Sequence, residues 1–174
     1  DVSEQTREVS AEEVTDLNGD QPRKYNDYRQ MLTKEKPGIV IIATPDHWHA
    51  VQALEGLRNG KDIYCEKPVT HFFAEGQVLY REVAKRKAIF QTGSQQRSAT
   101  VFRNAVELVR NGLIGKVKEV QVGLPKGPNK IKGDPTEEDR SGREDYQLWT
   151  GPAPMLPYVH ARHHQMWRVH LAYG

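Results

Sequence analysis

The stretch Gly38–Pro68, GIVIIATPDHWHAVQALEGLRNGKDIYCEKP, leaves little freedom in how it folds. Ile39-Val40-Ile41-Ile42 is an apolar run without polar alternation, the pattern of a central parallel strand buried on both faces. The run stops at Ala43-Thr44-Pro45, where small side chains and a proline let a ligand approach the backbone. Asp46 stands as a candidate N-cap, Ala50, Val51, Ala53, Leu54 and Leu57 recur at helical spacing, and Asn59-Gly60 is a helix stop. A second strand, Asp62 to Cys65, leads directly into Glu66-Lys67-Pro68. This is one β-α-β unit, and its two strand exits carry the polar chemistry.

The flanking sequence extends the pattern. Thr70 is placed to cap a longer helix with Phe72, Phe73, Leu79, Tyr80, Val83 and Ala84 as its apolar stripe. Ile89 to Thr92 reads as a third strand, ending at Gly93-Ser94-Gln95-Gln96-Arg97. Two successive β-α-β units predict an α/β fold with a parallel sheet and right-handed crossovers. Upstream, Asp1 to Gln21 reads as a short amphipathic helix ending near Asn18-Gly19, and Tyr25 to Leu32 as another. The pattern changes after Arg97, which places a domain boundary at residues 98–100. Beyond it, Ser98 is a candidate cap for a helix with Val101, Phe102, Ala105, Val106 and Val109 turned inward. Lys116 to Leu124 alternates at Val120, Val122 and Leu124, the pattern of a half-exposed strand. Pro125 to Asp145 is polar and long enough to be a functional loop or a disordered segment. The remainder, with Trp149, Tyr158, Trp167 and Tyr173, has little periodicity.

Composition excludes several classes. With 37% hydrophobic and 28% charged residues the 174-residue chain can bury a core. A net charge of +2 gives no argument for nucleic acid or a membrane surface. The single cysteine, Cys65, excludes an internal disulfide and a multi-cysteine zinc site. No run approaches the roughly 18 apolar residues of a membrane span. The compartment is not legible: cytoplasm is the default, and an export signal upstream of Asp1 would change it.

Ligands of open parallel sheets bind at the carboxyl ends of the strands. Three such exits follow one another here, at Thr44-Pro45-Asp46-His47, Glu66-Lys67-Pro68 and Ser94-Gln95-Gln96-Arg97. A lysine directly after a buried strand, with a proline restricting its backbone, can polarise a carbonyl or donate to a hydroxyl. The plain alternative is a surface lysine that happens to follow a strand.

These residues carry a resemblance. Ala43-Thr44-Pro45 with His47 and His49, Glu66-Lys67-Pro68, GSQQRS from Gly93, IGKVKEV from Ile114 and WTGPAP from Trp149 together resemble the Gfo/Idh/MocA family. These are oxidoreductases related to glucose–fructose oxidoreductase and inositol dehydrogenase. The resemblance implies a partial, doubly wound Rossmann-like domain over 1–98. After it would come, over 99–174, the start of an α+β substrate domain whose open mixed sheet supplies a homo-oligomer interface. It implies NAD or NADP as cofactor and a sugar-like small molecule as substrate. Lys67 matches the motif lysine that contacts substrate beside the nicotinamide, and its bond to Pro68 is a candidate cis peptide. Ala43, Thr44, Pro45 and His47 match the loop against the cofactor, with Glu66, Pro68 and Gln95 beside it. Arg97, Trp149 and Arg168 are candidates on the substrate side, although the tryptophans suit core packing or an interface equally well.

Two departures accompany the matches. No G-x-G-x-x-G spacing occurs, and the family's downstream Asp and His are not found before the final Tyr173-Gly174. The chain therefore reads as an internal piece of a longer protein. Asp1-Val2 falls where the fold's ribose-binding acid belongs, and is otherwise an ordinary polar terminus. His47 and His49, two apart on a helix, point to different faces, and His160, His163, His164 and His170 lack an element to fix them. Hydrogen-bonded or solvated histidines are therefore expected rather than a metal site. Cys65 reads as a small core residue.

Three functions fit: a nicotinamide-dependent dehydrogenase, an NAD-dependent glycosidase, and a non-catalytic nucleotide-binding or assembly protein. Backbone N–H groups of a glycine loop normally hold the dinucleotide pyrophosphate. The isolated chain should therefore bind NAD and NADP weakly or not at all and turn over no substrate. Calorimetric titration checks this; micromolar binding would show that the strand exits suffice without the loop.

Overall fold

The computed structural model describes residues 1–127, 133–140, 144–163 and 166–174. Helices α1 (Glu4–Asn18) and α2 (Tyr28–Glu35) precede β1 (Ile39–Ile42), α3 (Asp46–Arg58), β2 (Asp62–Glu66), α4 (Phe73–Arg86) and β3 (Phe90–Gly93). A short 3₁₀ turn over Gln95–Ser98 leads into α5 (Thr100–Arg110), then β4 (Glu137–Glu138), α6 (Glu144–Thr150) and β5 (Tyr158–Val159). The three long strands form a parallel sheet in the order β1-β2-β3, with Ile42 opposite Cys65 and Cys65 opposite Thr92. All three exits lie at one end of the sheet. β4 and β5 form a separate antiparallel pair.

The core explains the order. Ile42 from β1, Ile63 and Cys65 from β2, Ala53 and Leu57 from α3, and Leu79 from α4 form one buried cluster. Both crossover helices thus pack on the same sheet face. Gly56 lets α3 come close: a Cβ there would lie 2.7 Å from Ile63 Cδ1. Gly60, at φ 72°, supplies the left-handed turn after α3. α2 is tied to α3 by Tyr28, whose hydroxyl donates to Glu55 and whose ring meets Trp48 edge-on.

Several expectations need correction. β1 is buried on one face only: Ile39 and Ile41 are 65% and 73% exposed. The reason is that α3 and α4 share a face, and no described element covers the other. Asp46 is the first helical residue rather than the cap, because Pro45 takes the N-cap position without a side-chain bond. Thr70 does not cap α4. Glu75 does that work from inside the helix, accepting at 3.0 Å from the backbone N–H groups of His71 and Phe72. Phe72, Phe73 and Tyr80 are exposed, leaving Leu79 as the buried residue of that stripe. α5 starts after Ala99, not Ser98, and its apolar residues face outward. Lys116–Leu124 forms no strand: alternation specifies a face, but a strand also needs a partner ladder, and none is present among the described residues. Residues 128–132 and 141–143 of the long polar stretch lie outside the described residues; within the rest sit β4 and the start of α6.

Leu57 is 1% exposed at the centre of this core. Leu57→Ala should cost about 2–5 kcal/mol by loss of transfer energy and residual cavity. Leu17→Ala, on the exposed side of α1, should stay within about 0.5 kcal/mol. Urea midpoints of the two variants check the contrast.

Candidate functional site

The parallel register sets three exits side by side. At β1, Thr44 Oγ1 donates to Gln52 Oε1 at 2.9 Å, which anchors the loop to α3. At β2, Lys67 is exposed and its bond to Pro68 is cis. At β3, Gly93 leaves room for the Glu66 side chain. A Cβ at Gly93 would lie 2.6 Å from Glu66 Cδ, so the carboxylate folds over the neighbouring strand. Gln95 and Arg97 follow, both exposed. Cys65 is fully buried, and burial pushes its thiol up to about 12, which removes it as a nucleophile.

His49 joins two of the exits. Its Nδ1 lies 2.6 Å from the Pro68 carbonyl and its Nε2 2.7 Å from the Thr44 carbonyl, with the ring 1% exposed. His47 faces the other way, as its spacing from His49 requires. Its Nε2 is 2.9 Å from the Trp149 carbonyl and its Nδ1 3.2 Å from the Tyr173 carbonyl. The indole N–H of Trp48 donates to the same Trp149 carbonyl at 2.9 Å. The first turn of α3 thereby docks the aromatic cluster of Tyr146, Trp149, Trp167 and Tyr173. Gly151, at φ 52°, sits against the Trp48 indole where a Cβ would collide with the ring.

A cavity of about 590 Å³ opens at the β1 exit. Asp1, Ala43, Thr44, Pro45, Trp149 and Arg168 line it, whereas Glu66, Lys67, Pro68 and Gln95 do not. The Asp1 carboxylate accepts from Ser3 N–H at 2.8 Å. Arg97 lines a different cavity, of about 650 Å³, along α5 with Phe102 and Arg110. His47 lines neither, because both of its nitrogens are committed to carbonyls. Of the C-terminal histidines, His163 stacks on Tyr158 and His164 lies outside the described residues. Among the described residues no group of three or more potential metal ligands occurs.

The roles of Trp48, Gly151 and Tyr173 were not legible in the sequence. Their contacts run to backbone atoms and ring faces about a hundred residues away. The only signal was WTGPAP itself, which places a glycine two residues after Trp149.

A family described as "Oxidoreductase family, NAD-binding Rossmann fold" matches residues 3–94. The scyllo-inositol 2-dehydrogenase (NAD(+)) of Bacillus subtilis is 34% identical over 84 residues, covering 47% of this chain and 25% of that protein. A glycosyl hydrolase family 109 protein of Saccharopolyspora erythraea is 30% identical over 122 residues, 67% of this chain and 26% of that one. The crystal structure of myo-inositol 2-dehydrogenase from Lactobacillus plantarum superimposes with a TM-score of 0.52 at 29% identity, covering 53% of this chain and 28% of that chain. The chain spans 24–43% of the length of the first curated relatives it matches.

Burial holds the His47 pKa below its usual 6.5, outweighing the two carbonyls that favour its charged form. A histidine depressed in this way binds fewer protons folded than unfolded between its two pKa values. Its share of stability is full above the unfolded value near 6.5 and falls as pH drops towards the folded pKa, levelling off below it. Unfolding midpoints followed by tryptophan fluorescence should therefore decline on acidification below about pH 6.5. His47→Gln should show a shallower decline.

Proposed function

The chain belongs to the Gfo/Idh/MocA oxidoreductase family, whose NAD-binding Rossmann fold matches residues 3–94, and from that premise we propose that the protein is a nicotinamide-dependent dehydrogenase of a sugar, polyol or related hydroxy compound. The observation that carries this reading is Lys67, exposed at the exit of the central strand, with its neighbour Pro68 tied through His49 to the loop lining the 590 Å³ cavity. The 34% identity to an inositol dehydrogenase and the crystallographic likeness to another support the substrate class.

The residues present fit the ribose and ring portions of a dinucleotide. In this reading the Asp1 carboxylate on the cavity wall accepts from ribose hydroxyls. The Ala43–Pro45 backbone and the Glu66–Pro68 turn lie against the rest of the cofactor, with Gln95 beside them, while His47 is turned to the Trp149 and Tyr173 carbonyls. The glycine loop that cradles a pyrophosphate has no counterpart in these residues. When bound, a nicotinamide supplies the hydride acceptor or donor. Lys67 then holds the substrate hydroxyl and manages its proton, while Arg97, Trp149 and Arg168 orient the sugar. Nothing in the site selects between NAD and NADP. The division at residues 98/99 and homo-oligomerisation through a C-terminal sheet belong to the same proposal.

A second reading, redox-assisted glycoside hydrolysis, is favoured by the 30% identity to a family 109 glycosyl hydrolase protein. Net turnover of cofactor separates the two: a dehydrogenase consumes it and a glycosidase regenerates it.

In the protein with its complete nucleotide-binding domain, Lys67→Ala should lower kcat at least ~100-fold, the scale of a positioned acid–base group. Cofactor Kd should change little. Parallel losses in binding and rate would make Lys67 a cofactor ligand instead.

A further inference from the structure

The turn that carries Lys67 begins where the sheet ends, just past the last pairing of β2, Glu66 opposite Gly93. Pro68 has no N–H to give. Beyond the β2–β3 ladder, His49 Nδ1 lies 2.6 Å from the Pro68 carbonyl and ties Lys67-Pro68 to α3. The opposite nitrogen of the same ring reaches the Thr44 carbonyl at 2.7 Å. Thr44 is in turn fixed to α3 through Gln52. His49 is the fourth residue of α3, 1% exposed, beside the buried Ala50 and Ala53.

Carbonyl oxygens only accept hydrogen bonds. Of the two contacts, the one that bears on Lys67 is that of Nδ1 with the Pro68 carbonyl, where a ring N–H at Nδ1 is the donor.

We propose that His49 is a positioning residue that acts as a strut between the β1 and β2 exits, its ring wedged between the Thr44 and Pro68 carbonyls with Nδ1–H donating to Pro68, so that the place of Lys67 relative to the cofactor loop is set by α3. The proposal rests on the reading of Lys67 as the group that handles the substrate hydroxyl, and deepens it. Such a strut matters because a displacement of about 1 Å at a reacting group can cost on the order of 100-fold in rate. A side chain with the backbone freedom of an untethered turn would lose that alignment while still binding substrate.

The test is a double-mutant cycle on kcat in the protein with its complete nucleotide-binding domain. His49→Phe keeps the ring and removes both polar contacts. With Lys67 present it should lower kcat about 10- to 100-fold. In the Lys67→Ala background it should change kcat by no more than about 2-fold, because a displaced turn no longer has a lysine to misplace. His49→Gln, which keeps N–H donors, should recover part of the loss. A purely structural role would give the same fold-loss in both backgrounds, and that result overturns the strut. Should Lys67→Ala itself leave kcat unchanged, the functional reading of Lys67 falls. A His49→Phe loss persisting there would overturn the strut separately, and so would the absence of any loss. If neither His49 variant folds, the native protein decides. In long-range ¹H–¹⁵N spectra of histidine-labelled protein, the His49 Nδ1 should carry hydrogen. Hydrogen on Nε2 alone would overturn the proposal.

Discussion

The structure depends on how closely α3 lies on the β1–β2 pair. Ala53 and Leu57 are fully buried against Ile42, Ile63 and Cys65, and Gly56 presents bare backbone where Ile63 Cδ1 arrives. Small residues on the inner face bring the helix axis near the sheet, so its first turn projects just past the strand ends. The polar ties from α3 to the strand exits and to the aromatic segment are built from that turn. A bulkier inner face would lift α3 and carry His47, Trp48 and His49 away from their acceptors together.

Those three consecutive residues divide the work by direction. Successive positions on a helix are offset by about 100°, so neighbours cannot share a target. His49 reaches inward to the exits of β1 and β2. His47 and Trp48 reach outward and converge on one carbonyl, that of Trp149. A carbonyl has two lone pairs, so the Trp149 oxygen can accept from the Trp48 indole N–H with the His47 ring beside it. One short helical turn thus joins the loop after β1, the Lys67-Pro68 turn and the aromatic segment from Tyr146 to Tyr173. The family match ends at residue 94, yet the chain beyond it returns to this turn, which is how Trp149 and Arg168 reach the wall of the same cavity as Asp1 and Thr44.

The sheet is covered unevenly for a topological reason. Two crossovers that advance in one direction, β1 to β2 to β3, place both helices on the same side. A doubly wound sheet covers its second face only where the direction of advance reverses. Ile39 and Ile41 face that second side and stay exposed, although their sequence is as apolar as that of any buried strand. The outward apolar residues of α5 and the unpaired Val120–Leu124 have the same character: their pattern specifies a face without supplying what covers it.

The sequence by itself determined the order and type of the elements in residues 28–93, the parallel sheet and the alignment of its three exits. Those follow from local periodicity and from the rules of crossover connections, both written in side-chain type. It also marked Lys67 through its neighbours Glu66 and Pro68. Helix starts were less legible, since Pro45 and Glu75 displaced the expected Asp46 and Thr70. Only the tertiary structure decided the roles of His47 and His49. Their spacing excluded a shared ligand but could not name their partners, which are backbone carbonyls of Thr44, Pro68, Trp149 and Tyr173. Every residue carries such a carbonyl, so no side-chain pattern points to one. Which carbonyl a buried ring meets is settled when α3 comes to rest on the sheet.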